Sequence, residues 1–536
     1  MVLGHRRHSG GSRSSIDDTR EYSTEDETVV DAEQGNVLGH IISQLRPGAD
    51  LSRVTLPTFI LEPRSMLERI TNFMAHPEIM LPMPEIDDPV KRFVSVVKFY
   101  LSGWHIKPPG VKKPLNPILG ETFTCYWEYP DKTKGYYISE QTSHHPPKSS
   151  YFFMVPEHGI RIDGTLKPRS KFLGNSAASM MEGIAVMRFT NRNNERYFVT
   201  QPNMYARGIL FGKMKYELGD HSFVRCPELG LHADLEFKTK GYFSGTYNAI
   251  GGFIRDTKTD QPLYELSGLW NGEMYIKDIK THQKELLFNA KGAKPSPPLA
   301  RPIEEQDERE SQRLWAKVNE AIHNRDHVAA TTEKSAIEDQ QRLEASKRAD
   351  DGLDWKPKLF RHVQGGPGGQ DEGEEDLDWI LNAKIDGKTS DEQIKQILRI
   401  APILPGQALD RRFSIPSRQN TSSPSLSRQH TATQLNPHPE HPDAQQPSQA
   451  QQPPEAQQSQ AQEPSQAQQP HGAGGELSHV ALHEKLRNMD INHAQGFTQG
   501  LGQQAAVPAA VSHLKRPIVR QDSQTEEVDE FHDALD

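Results

Sequence analysis

Between Glu121 and about Lys280 the chain breaks into many short runs of aromatic and β-branched residues, separated by Gly, Asn, Asp or Pro. Phe123 to Tyr129, Tyr136 to Gln141, Tyr151 to Val155, Ile184 to Phe189, Tyr197 to Thr200, Ala233 to Phe237, Leu263 to Leu269 and Met274 to Ile276 are examples. Strands of this length with turn residues between them predict a largely antiparallel sheet curled into a barrel. About ten strands or more enclose a cavity for one elongated ligand, whereas eight are nearly filled by their own side chains. Inward apolar residues read the same in a filled core, so the sequence leaves the cavity open.

Helical patterns flank this region, which makes the fold class α+β. Val37, Leu38, Ile41, Ile42 and Leu45 fall at helical spacing before Pro47-Gly48 stops them, predicting a short amphipathic helix within 35–50. Such a helix is either ordinary packing or a lid, held by one apolar face and cheap to detach. A helix is expected from Ser65, and another from Pro89 to Gly103 with Phe93, Val94, Val97 and Leu101 inward. Further helices are expected over Glu304 to Asn324 and Glu333 to Arg348, and two short ones between Leu377 and Ile403.

Composition sets the ends apart. Only 34% of the 536 residues are hydrophobic, and Pro and Gly number 39 each. Residues 1–34 are Ser, Arg, Asp and Glu with an acidic end, and from 406, most clearly from Arg411 to His471, the chain is rich in Gln, Pro, Ser and Ala. Neither segment carries enough apolar surface to offset its ordering entropy, so both are expected to be disordered. A net charge of −10, from 62 basic and 72 acidic residues, argues against a general nucleic-acid binder. Two cysteines, Cys125 and Cys226, give no disulfide framework and fit a reducing cytosol. No run approaches 18 apolar residues, so the expected membrane association is peripheral.

Three polar clusters stand out. His144 and His145 precede Pro146-Pro147 where a Tyr-rich strand runs out, and prolines there predict a turn with both rings at a rim. Protonated imidazoles donate to phosphate; equally, two such histidines are compatible with unrelated surface or packed residues. A zinc site needs three or four ligands and no further Cys or His lies nearby, so no metal is expected. Lys113 and Asn116 flank a loop fixed by Pro114, Pro117 and Gly120. Lys334, Glu338 and Arg342 are spaced i, i+4, i+8, a separation that turns a helix by about 80°, so they line one face. By themselves they read equally as a solvated ladder.

Glu140-Gln141-Thr142-Ser143-His144-His145-Pro146-Pro147 resembles the signature octapeptide of the oxysterol-binding-protein-related lipid transfer family, with Thr142 in place of the usual Val. Lys113 to Glu121 resembles a second block, Lys334, Glu338 and Arg342 a third, and Leu353 to Phe360 the closing block. Leu56-Pro57-Thr58-Phe59-Ile60-Leu61, continuing to Ser65, is similar to the phosphatidylserine-carrying branch in particular. The resemblance covers residues 35 to about 360. It implies an incomplete barrel at about 110–290 enclosing a lipid cavity, a lid at 35–50 and a helical part at about 300–405, without catalysis or cofactor. Lys113, Asn116, His144, His145, Lys334, Glu338 and Arg342 would hold a phosphatidylinositol 4-phosphate headgroup. Leu38, Ile41, Ile42 and Leu45 would cover the acyl chains, and Leu56 to Leu61 would set lipid selectivity. The implied function is exchange of phosphatidylserine for phosphatidylinositol 4-phosphate between endoplasmic reticulum and plasma membrane. Alternatives are a sterol/phosphoinositide exchanger, or a hydrolase using His144, for which Glu121 and Glu140 look structural rather than catalytic. Finally, Glu530, Phe531, His532, Asp533 and Ala534 resemble the two-phenylalanines-in-an-acidic-tract motif that binds VAP-type receptors of the endoplasmic reticulum, with His532 for the second Phe and Asp536 for the last Glu.

Overall fold

From Thr122 to Asn289 the backbone is extended through one hairpin after another. The computed structural model describes residues 27–29, 43, 45–51, 56–209, 213–241, 245–363 and 377–407. Strands run β1 Glu27–Val29, β2 Leu61–Ser65, β3 Lys113–Leu115, β4 Thr122–Glu128, β5 Lys134–His144, β6 Pro147–Val155, β7 Ile160–Phe172, β8 Ser176–Phe189 and β9 Glu195–Val199. They continue as β10 Asn203–Arg207, β11 Lys213–Cys226, β12 Leu231–Lys238, β13 Ala249–Asp256, β14 Pro262–Leu269, β15 Glu273–Asp278, β16 Lys284–Asn289, β17 Phe360–His362 and β18 Trp379–Leu381. Fourteen of them form one sheet, β4 to β16 in nearly sequential antiparallel order, with β9 and β10 both lying between β8 and β11 and β1 added against β11. β4 and β16 do not pair with each other, so the barrel is incomplete.

Each expected run coincides with a strand, two of them, Phe123 to Tyr129 and Tyr197 to Thr200, overshooting β4 and β9 by one residue. The long strands β7 and β11 are harder to read because Gly164, Pro168 and Gly219 and several charges interrupt their alternation. Gly183 shows what bends such a ladder: at φ +117° it faces the Thr165 carbonyl, which a Cβ would approach to 2.0 Å.

The inside of the sheet is partly filled. Helix α1, Pro89–Ser102, starts as expected, with Asp88 accepting from the Val90 and Lys91 amides and proline in the first turn. Its Phe93, Val97 and Leu101 are fully buried against the sheet in a cluster with Phe123, Cys125, Tyr137 and Phe153. A buried two-pronged pair, Arg92 with Glu195 at 2.8 Å from both nitrogens, fastens the helix to β9.

The opposite face of β4–β6 is covered too. Tyr126, Tyr136, Ile138, Phe152 and Met154 pack with Phe360, Trp379, Leu381, Ile397, Ile400 and Ile403. Burial on both faces explains why these strands read as near-continuous apolar runs rather than alternating ones.

Four expectations need correction. Within the leader read as disordered, Glu27–Val29 pairs with Lys213–Lys215; Thr28 and Val29 are β-branched, and β11 offers them a free edge. Lys113–Leu115, read as loop, is a short strand parallel to β2. Glu304 to Asn324 is not one helix: it opens as a 3-10 turn at Ile303–Glu305 and then forms Ser311–Leu314 and α2, Ala316–His323, divided at the buried Trp315. Between Leu377 and Ile403 one of the two expected helices is instead β18, paired with β17; the other is α4, Ser390–Leu398, after the long α3, His327–Asp350. Trp379-Ile380-Leu381 are strand formers whose partner lies across a long gap in sequence, so local periodicity does not reveal it.

Candidate lipid-binding site

The ends of β7, β8, β10 and β11, together with β2 and β3, leave a cavity of about 2240 Å³ of atom-free space, its open mouth included. Leu166, Phe172, Ala178, Met181, Met204, Met214 and Tyr216 line its wall, and Leu51, Leu56, Ile60 and Leu61 close one side. Most of the lining surface is apolar; its polar residues include Lys113 and Asn116 from β3 and the loop after it, and Lys334 and Glu338 from α3.

Glu121 builds that loop. Its fully buried carboxylate accepts from Ser65 Oγ at 2.5 Å, Ser311 Oγ at 2.6 Å, Trp315 Nε1 at 3.0 Å and the Ile118 amide at 3.0 Å. Burial pushes its pKa up and the four donors pull it back, with a net rise. Gly120 beside it sits at φ +76° beneath the Trp355 ring, which a Cβ would approach to 2.5 Å. Glu140 is comparably engaged: it accepts from the Lys358 and Leu359 amides at 2.8 and 2.7 Å, tying β5 to the segment after α3. Both carboxylates are engaged in hydrogen bonds that hold a loop and a chain segment in place.

Electrostatically the mouth is unsettled. Burial and the neighbouring Lys334 ammonium lower the pKa of Lys113, and Asp50 only partly offsets them. Lys334 has a counter-charge, Glu338, to which it donates at 2.5 Å. Lys112, also lowered by burial and by Arg325, donates to the Phe59 carbonyl at 2.6 Å and so fixes the Leu56–Leu61 turn at the rim. Thr58 and Phe59 in that turn meet His327 at the start of α3, through a 3.2 Å hydrogen bond and an edge-on ring contact.

The histidines stand differently from the expectation of two exposed rings. β5 and β6 meet in a tight hairpin in which His144 pairs with Pro147, so the strand does end there. The rings touch edge to face, centroids 4.5 Å apart; His145 is exposed and His144 half-buried. Burial and His145 lower the His144 pKa, so it is a neutral imidazole at pH 7 in the empty site. Neither ring is among the cavity-lining residues, although Gln141, Pro147 and Ser149 of the same hairpin are. Thr142 suits the hairpin because its hydroxyl finds Ser150 Oγ at 3.0 Å across the pair.

Arg342 also departs from expectation. Its side chain is 63% exposed, bonds Asp339 on its own helix, and is not among the lining residues. Sequence reasoning missed Gln341, 6% exposed, whose amide bonds both the Leu119 backbone and His144. Its i+7 spacing from Lys334 leaves it only about 20° off that lysine's direction, against about 80° for Arg342. Arg69 and Asn72, three residues apart after β2, line the cavity and were likewise missed. Of the expected lid only Leu45 is described, and it lines the cavity; Leu38, Ile41 and Ile42 lie outside the described residues, as do Glu530 to Ala534. Among the described residues no helix is long and apolar enough to cross a membrane, and no group of three or more His, Cys, Asp or Glu is placed to hold a metal.

A partly open barrel around an apolar cavity, with a cationic mouth, defines a lipid-binding domain. Residues 40–321 match the family model described as oxysterol-binding protein. Over 390 residues the chain is 54% identical to the oxysterol-binding protein-like protein OBPa of Candida albicans, covering 72% of this chain and 89% of that one. It is 53% identical over 391 residues to oxysterol-binding protein homolog 7 of Saccharomyces cerevisiae, covering 71% and 87%. The Osh1 ORD domain, solved with ergosterol, shares the fold with a TM-score of 0.52 over 70% of this chain and 99% of that one, at 20% identity. The chain belongs to the oxysterol-binding protein family of lipid-binding and lipid-transfer proteins.

Proposed function

We propose that the domain carries phosphatidylinositol 4-phosphate in one direction and phosphatidylserine in the other, between the endoplasmic reticulum and the plasma membrane. The observation that carries this reading is the mouth: Lys113 and Lys334 converge above an apolar cavity with Glu338 as the acid among the lining residues. A 4-phosphate headgroup carries a monoester of about −1.5 to −2 and a diester, and it adds counter-charge at Lys113, which Asp50 only partly offsets. Phosphatidylserine as the second cargo is supported by the Leu56–Leu61 block, of which Leu56, Ile60 and Leu61 line the cavity. On this reading the lipid-binding unit spans 35–405, with Leu38, Ile41, Ile42 and Leu45 as its lid, and His144, His145, Asn116 and Arg342 completing the headgroup site.

Extraction of labelled lipids from liposomes tests it. Phosphatidylinositol 4-phosphate and phosphatidylserine are expected to be extracted and to compete, while ergosterol is not; release of inorganic phosphate would turn the reading into hydrolysis. His144→Ala with His145→Ala is expected to abolish phosphatidylinositol 4-phosphate extraction and to spare phosphatidylserine, which has no phosphomonoester. Equal loss of both lipids would point to a damaged fold.

The C-terminal motif supports anchoring at the endoplasmic reticulum through a VAP-type receptor. A peptide of residues 521–536 is expected to bind the receptor domain at micromolar affinity and the Phe531→Ala peptide not to bind; equal binding would reduce the contact to charge attraction.

A further inference from the structure

We infer that Gln341 is a positioning residue that locks His144 in one neutral tautomer and ties together the three segments carrying the headgroup site. The inference deepens the headgroup assignment above and rests on it for its lipid readout, but not for its tautomer.

The Leu119 amide can only donate, and it lies 2.6 Å from the Gln341 side-chain oxygen. That contact fixes the amide orientation: with oxygen toward Leu119, the Gln341 NH₂ group faces His144 Nε2, at 2.9 Å. An NH₂ group only donates, so His144 Nε2 must be the unprotonated, accepting nitrogen. The proton of the neutral ring then sits on Nδ1, which is buried and makes no well-formed hydrogen bond, while the Pro117 backbone lies near the ring. Protonating Nε2 would set two donors against each other, and turning the Gln341 amide over to relieve this would set its NH₂ group against the Leu119 amide. The charged groups around the ring act in opposite directions: His145 on the same hairpin disfavours a second charge, and Glu338 on α3 favours it.

Placement gives the lock its consequence. Gln341 shares the buried face of α3 with Lys334 and Glu338. Through its oxygen it holds the loop that follows Lys113 and Asn116, and through its nitrogen it holds the His144-His145 hairpin. One side chain therefore sets the distance between all three. It also divides the two histidines: His144 is the tie, and His145 is the exposed ring beside it.

The test uses the full-length, lipid-free chain with ring-¹⁵N-labelled histidine, the His144 resonances being assigned by their loss in His144→Ala. His144 is expected to appear at pH 7 as the neutral, Nδ1-protonated tautomer. An Nε2-protonated or doubly protonated ring would overturn the lock whatever lipid the cavity takes. Gln341→Glu keeps an acceptor for Leu119 and presents a carboxylate to Nε2, so it should raise the His144 pKa by about one unit or more; an unmoved pKa overturns the contact. Gln341→Leu should lower phosphatidylinositol 4-phosphate extraction roughly tenfold, as expected for about 1.4 kcal/mol, and phosphatidylserine extraction less than twofold. Equal loss of both would make Gln341 a packing residue. If wild type extracts no phosphoinositide at all, the headgroup reading falls while the tautomer result stands.

Discussion

Lys113→Met is expected to make the empty domain more stable and the carrier less able to take up its phosphoinositide. Methionine keeps the length of the side chain and removes a half-buried ammonium that has no hydrogen-bond partner among the described residues and faces the ammonium of Lys334. The sign follows from linkage. The Lys113 pKa is lowered in the folded chain, so between that value and the ordinary 10.5 the unfolded chain holds more protons and wild-type stability rises with pH. The advantage of the variant is therefore greatest near neutral pH and shrinks toward pH 10. About 1 kcal/mol would raise the melting temperature by about 2 °C in a domain of this size. Phosphatidylinositol 4-phosphate extraction should meanwhile fall by at least about thirtyfold, the loss that about 2 kcal/mol at a desolvated charge pair produces. Thermal melts at pH 7 and pH 9.5, with liposome extraction alongside, check both halves. A variant that melts lower and extracts normally would remove Lys113 from the headgroup site.

Glu121→Ala should have the largest effect on folding. It strips the acceptor from two hydroxyls, an indole N–H and a backbone amide at once, all in a region without water access. Breaking such a buried network costs about 3–5 kcal/mol. The urea midpoint should fall accordingly, and Glu121→Gln should recover part of it, because one acceptor oxygen remains while its NH₂ group meets donors. Gln341→Leu, which removes a single contact with the same loop at Leu119, should leave the urea midpoint much closer to wild type. A Glu121→Ala unfolding free energy within about 0.5 kcal/mol of wild type would mean that the loop after Lys113 is not held by this carboxylate.

Much of the fold was legible because its signals are local. Strand periodicity and turn residues gave the antiparallel barrel, and the spacing of Phe93, Val97 and Leu101 gave α1. Pro146-Pro147 gave the end of β5. Less of the site was legible. Lys113, Asn116, Lys334 and Glu338 do meet at one mouth, yet His144 is a half-buried neutral ring and Arg342 turns to Asp339. The leader strand Glu27–Val29 and the pair β17–β18 escaped because each is too short to announce itself without the strand it joins.

The sequence by itself determined most of the barrel strands, the helix at Pro89–Ser102 and which residues stand in line on α3, because these depend on spacings of two and of 3.6 residues. Only the tertiary structure decided which side of that line is buried. Lys334, Glu338, Gln341 and Arg342 are all compatible with one stripe, but the Pro117–Gly120 loop and the β5–β6 hairpin press on the Gln341 side, through contacts 222 and 197 residues apart in the chain. A helix carries no record of where its partner surface lies, so the charge of a residue proposed it for the site, and the direction of packing chose its uncharged neighbour.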